Sequence, residues 1–153
     1  RLDMTTKTNH LFLIPALVCL VASAVSCASP DKRPVGLVDG RLAPCPESPN
    51  CVSSEAAAGP SAVEPLAFTV APEAAWAALK RTVVTMGGRI EREDPGFLWA
   101  IFKTRVLRFA DDVEFRMDLA RRRIHVRSAS RTGYSDFGVN RRRVEKLRRQ
   151  FAL

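Results

Sequence analysis

Hydrophobic and polar positions alternate most cleanly over Asp112–Asp118. Val113, Phe115 and Met117 fall on one side there, and Asp112, Glu114 and Arg116 on the other. After a turn at Ala120–Arg122 the pattern returns, with Ile124, Val126 and Ser128 alternating with Arg123, His125 and Arg127. A two-residue period marks a half-buried strand, so the two stretches predict a hairpin. A tight antiparallel register sets Asp118 opposite Arg123, Arg116 opposite His125 and Glu114 opposite Arg127. On the core side it brings Met117 to Ile124 and Phe115 to Val126.

Upstream, Leu66, Phe68 and Val70 alternate in "PLAFTV", a short strand. Pro72 opens a helix at its favoured first-turn position with Glu73 beside it, and Trp76, Leu79, Val83 and Met86 give that helix one apolar face. Gly87-Gly88 stops it. "RIERED" reads as a polar strand, Asp94-Pro95-Gly96 as a turn and "FLWAIFK" as a mostly buried strand. The final helix runs from Gly138 to Phe151, with Val144, Leu147 and Phe151 as its stripe and Asn140 on the same face one turn earlier. Glu145 is spaced to pair with Arg141 and Arg149. Strands flanked by helices predict an α+β domain over residues 66–153: an antiparallel β-sheet of four to five strands with two helices packed on one face.

The pattern breaks before Leu66. Residues 27–65 hold seven of the ten prolines and few large apolar residues, and read as an extended tether carrying a Cys45–Cys51 loop. Further upstream, Met4 reads as the start, and a short stretch with one Lys precedes an apolar run from Leu11 to Val25. Its fifteen residues fall short of the roughly 20 that span a membrane. Residues 1–26 are therefore expected to be a signal peptide, with an uncleaved anchor as the alternative. Ala24-Val25-Ser26-Cys27 resembles a bacterial lipobox, with Ala24 where Leu is usual, and makes Cys27 the expected lipidation site and new N-terminus. The expected address is the cell envelope, with a lipid anchor in the membrane. Ala28 rather than Asp after the Cys favours the outer membrane in a Gram-negative host.

In an exported chain Cys45 and Cys51 are most simply joined as a disulfide. A zinc site would need two further ligands where His125 is the single histidine left after processing, so no metal or cofactor is expected. The formal net charge of +8 falls to +7 once residues 1–26, with two basic and one acidic side chain, are removed. Outside the cytoplasm such a charge suits an anionic small molecule or an envelope polymer rather than nucleic acid, or is simply a solvated surface.

Three separated motifs, "LAPCPESPNCVSS", "FADDVEF" and "RSASRTGYSDFGVNRRRVEKLR", together resemble the DUF 1499 family of domains of unknown function. The resemblance spans Arg41 to Leu147. It implies an α+β domain, often exported or membrane-associated, and supplies no reaction, cofactor or substrate.

Catalytic signatures are few. Neither G-x-S-x-G nor H-E-x-x-H occurs, and Gly133 and Gly138 have P-loop spacing but are followed by Val139-Asn140. His125 sits between Arg123 and Arg127 on a strand face, as a surface residue rather than a triad base. Asp111 and Asp112 are adjacent, so on a regular strand they point to opposite faces and cannot share a proton; a bulge at Asp111 would change that. No catalytic residue is assigned. Arg127, Arg131, Tyr134, Asp136 and Asn140 crowd the joint between the last strand and the last helix. In the structural reading Asp136 caps the helix, Asp111 or Asp112 pairs with Arg127 or Arg131, and Asn140 bonds into the Ser128–Tyr134 loop. In the ligand reading the two arginines and the free helix amides hold an anion, which Asp136 opposes. The expected function is a cell-envelope lipoprotein whose small domain binds or scaffolds. The rival is an envelope hydrolase using Asp111 or Asp112 with Tyr134.

Overall fold

The structure, a computed structural model, describes Pro34, residues 36–104 and residues 108–151. The expected signal peptide, Cys27 and the first part of the expected tether lie outside the described residues. No helix among the described residues is long and apolar enough to cross a membrane.

The elements run β1 (Leu37–Val38), β2 (Arg41–Leu42), β3 (Cys51–Ser53), β4 (Leu66–Ala67), α1 (Pro72–Thr85), β5 (Arg89–Asp94), β6 (Phe97–Lys103), β7 (Ala110–Asp118), β8 (Arg123–Ser130) and α2 (Val139–Phe151). β5 to β8 form an antiparallel meander, β3 adds to the far side of β8, and β4 pairs with β8 beyond β3. The class is α+β. The sheet has six strands rather than four to five, and β1–β2 make a separate two-stranded hairpin. The β7–β8 register is the one the alternation predicts, from Asp118 opposite Arg123 to Glu114 opposite Arg127.

One face of the sheet carries the core. Leu98, Ala100, Phe102, Val113, Phe115, Ile124 and Val126 meet Leu79 and Val83 of α1 and Val144, Leu147 and Phe151 of α2 in a single cluster. Fully burying such side chains is worth about 1.5–3 kcal/mol each, so this layer dominates the stability. α1 starts at Pro72 without a side-chain cap and ends where Gly87 turns left-handed (φ 85°). Gly88 then passes under the Phe102 ring, where an added Cβ would lie 2.5 Å from a ring carbon. Lys80 and Trp76 of α1 both bond to Glu93 on β5, at 2.9 Å. Glu145 pairs with Arg148 rather than with Arg141 or Arg149.

The expected tether needs correction from residue 36 onward. Val52 and Leu42 are buried, and Cys51–Ser53 hydrogen-bonds to β8 as a sheet strand. Asp39 and Gly40, both with positive φ, turn the β1–β2 hairpin, and β2 lies across β7 and β8 on the face away from the helices. Leu42 N–H donates to Glu55 at 2.6 Å, which ties this cover down. Cys45 and Cys51 are joined, so the cover is anchored to β3. A three-residue strand inside proline-rich sequence carries too little alternation to be seen.

Candidate functional site

The sheet sorts the candidate residues onto its two sides. Odd positions of β7 and even positions of β8 face the helices, while Asp112, Glu114, Arg116, His125 and Arg127 face the cover. Asp111 and Asp112 therefore point to opposite faces, as adjacent strand residues must.

On the helix side the structure builds a closed polar joint. Asp111, 1% exposed, accepts from Ser130 Oγ at 2.6 Å and from Arg143 Nη2 at 2.5 Å. Asn140, fully buried, accepts at Oδ1 from Ser128 Oγ and Arg143 Nη1, both at 2.6 Å. Its Nδ2 donates to the Asn50 carbonyl at 2.9 Å and to Ser130 Oγ at 3.0 Å. The side chain thus ties α2 to β8 and to the turn before β3. Asp136 caps α2 through the N–H groups of Gly138 (2.9 Å) and Asn140 (2.6 Å). All three side chains are engaged in hydrogen bonds that tie these elements together.

On the covered side lies a layer of charge. Arg131 grips Asp112 with Nε and Nη2, each at 2.9 Å, and Trp99 Nε1 adds a third bond at 2.8 Å. Arg127 Nη1 donates to Glu114 Oε2 at 2.8 Å. Glu114 is 0% exposed, and among the described residues its Oε1 and the Nε of Arg127 have no hydrogen-bond partner. Burial pushes the Glu114 carboxyl above the ordinary range; Arg127 works against this and Asp112 with it. A cavity of about 400 Å³ opens beside these four side chains, closed on the cover side by Ala43, Pro46, Ser48 and Asn50.

Tyr134 stands 76% exposed in the loop before α2, and among the described residues no hydrogen bond joins it to Asp111 or Asp112. The seven sequence candidates therefore do not form one site. Asp112, Arg127 and Arg131 share a cavity, Asp111, Asp136 and Asn140 share a joint, and Tyr134 belongs to neither.

The family model described as "Protein of unknown function (DUF1499)" matches residues 41–151. The chain belongs to the DUF1499 family. No curated protein and no solved structure matches it. In this DUF1499 chain the match begins at β2, so the cover from Arg41 onward falls within the family's domain along with the sheet and both helices, while β1 lies before it.

His125 also departs from its expected place. Its side chain is 14% exposed beneath the cover, with Ser54 Oγ 3.1 Å from Nδ1, Asp118 Oδ2 3.6 Å from Nε2 and Glu55 at 3.9 Å. Burial, then the Arg116 charge, hold its pKa below the ordinary 6.5, while Glu55 and Asp118 oppose the shift. Ser54 Oγ also accepts the Val126 N–H at 2.9 Å, which ties the residue after β3 to β8. Sequence reasoning missed Glu114, Glu55 and Arg143. Arg143 was visible in principle, since it lies one helical turn after Asn140. Glu55 carried no signal, sitting in what reads as a tether.

Proposed function

We propose that the chain is a cell-envelope lipoprotein, anchored through Cys27, whose domain binds an envelope polymer on the covered face of its sheet rather than catalysing a reaction. The apolar run ending in small residues and Cys27 supports the address, and the Cys45–Cys51 disulfide suits an oxidising compartment. One observation carries the binding reading. Glu114 Oε1 and Arg127 Nε are buried, belong to residues lining a cavity and have no partner among the described residues, and a buried unsatisfied polar group costs about 1–3 kcal/mol. A ligand group that both donates and accepts satisfies the two together.

The charge balance narrows the ligand. Arg127 and Arg131 are each matched by a carboxylate within the cavity wall, so an anion gains no net positive charge there. An uncharged amide or sugar hydroxyl fits better, with its N–H or O–H on Glu114 and its oxygen on Arg127. The hydrolase alternative has no such support, because the carboxylates of Asp111 and Asp112 are taken up by Arg143 and Arg131 while Tyr134 faces solvent.

The test is calorimetric titration of the full chain in uncharged detergent with a soluble oligomer of N-acetylglucosamine, which presents amide and hydroxyl groups together. The parent and Tyr134→Phe should bind. Arg127→Lys, which keeps the charge but loses the Nε donor, should bind at least about tenfold more weakly, a difference of about 1.4 kcal/mol. A parent that takes up neither this probe nor any small molecule from its host extract leaves scaffolding as the function.

A further inference from the structure

A second cavity, of about 480 Å³, opens on the covered face around His125. Its carboxylates are already committed. Glu55, with 4% of its side chain exposed, accepts from Arg116 Nε at 2.9 Å and Nη2 at 2.5 Å. Asp118 accepts from the Arg121 N–H at 3.0 Å and from Arg121 Nη1 at 3.2 Å. Four arginines line this cavity against those two carboxylates, so two positive charges are left over.

Those two are Arg41 and Arg123. Arg41, 65% exposed, comes no closer than 3.9 Å to a Glu55 carboxylate that Arg116 already holds. Arg123 is exposed at the end of β8 where Ala67 pairs with it, and no side-chain hydrogen bond or ion pair engages it among the described residues. They come from the cover and from the sheet, so the cavity lies between elements that the fold holds together. A guanidinium presents its donors in a planar fork that matches phosphate oxygens.

We propose that this cavity binds a phosphate group, held between Arg41 and Arg123 with His125 beside it. The site is separate from the Glu114 cavity and does not rest on the reading given for it. Its excess of cations is the reverse of that cavity's balance, so the two take ligands of different charge. The phosphate belongs either to a soluble molecule or to a lipid headgroup, since both present the same oxygens. His125 reports on occupancy. Ser54, Glu55, Asp118 and Arg116 face its imidazole, with Arg123 on its own strand, and a dianion beside it counters the Arg116 charge and raises its pKa.

The experiment follows the two histidine imidazoles, His10 and His125, of the unprocessed full chain, which keeps residues 1–26, by nuclear magnetic resonance in uncharged detergent. One arm adds inorganic phosphate; the other replaces the detergent with phosphatidylcholine vesicles containing phosphatidylglycerol. A saturable shift and raised pKa at His125 alone, weakened at least about tenfold when Arg41→Gln and Arg123→Gln are combined, is the expected result. A response to phosphate assigns a soluble ligand, and a response to vesicles alone assigns a headgroup. Both substituted side chains are exposed, so the fold tolerates their loss. The control, Arg81→Gln with Arg149→Gln on the helices, removes equal charge and should respond like the parent. No saturable shift in either arm, an equal shift at His10, or equal weakening by the control pair overturns the proposal.

Discussion

Asn140 and Glu114 are both fully buried, on opposite sides of one sheet, and burial means different things for the two. Asn140 has every polar atom engaged. Asn140→Ala should therefore lower stability by about 1–3 kcal/mol, because Ser128, Ser130 and the Asn50 carbonyl lose a buried partner. Denaturant unfolding checks this, and a variant as stable as the parent would show that the joint does not hold the fold. Tyr134→Phe, at an exposed position, should stay within about 0.5 kcal/mol of the parent. Asn140 was legible because a polar residue on an apolar helical stripe must find partners. Glu114 was not. Alternation assigns it to the outer face of a strand, and outer normally means wet.

The cover explains why that inference failed. Asp112, Glu114, Arg116 and His125 form a solvated-looking face that residues 36–62 bury, and those residues look like a tether because β3 is three residues long and flanked by proline and alanine. The elements with a full period, β7, β8 and both helices, could be placed from sequence; the one held by a disulfide and by single hydrogen bonds could not. Removing Cys45 and Cys51 together as serines should raise amide exchange across residues 36–53 while β6, β7 and β8 stay protected. Uniformly faster exchange would mean instead that the disulfide supports the whole sheet. At the other end of the chain, the α2 cap is a local device. Asp136→Ala should cost about 1 kcal/mol and leave both cavities unchanged, read by thermal melt.

The molecule as a whole carries its charged layer inside, and its response to pH follows from that. The folded chain binds a proton at His125 less readily than the unfolded chain, since burial and Arg116 hold that pKa below 6.5. This contribution is present above 6.5 and lost as the pH falls through the folded value. Asp118, lowered chiefly by the Arg121 N–H, adds a further loss below 3.8. Glu114 has the opposite sign, because burial raises its pKa and protonation on acidification relieves the buried charge. As the pH drops below 6.5 the parent's melting temperature should fall relative to that of His125→Gln, which lacks this titration. An unchanged decline in that variant would put the titration elsewhere.

On the reading proposed above, the helix side of the sheet holds the fold and the covered side is kept for binding. That reading is tested most directly by replacing the Glu114–Arg127 pair with apolar residues of similar size, Glu114→Met with Arg127→Leu, and measuring unfolding by denaturant. A buried, half-satisfied ion pair that serves binding is dispensable to the fold, so the double variant should match the parent or gain about 1–4 kcal/mol. Arg127→Leu alone should lose about 3–5 kcal/mol by stranding the carboxylate. A double variant as destabilised as that single one would show instead that the charged layer is structural and not kept for binding.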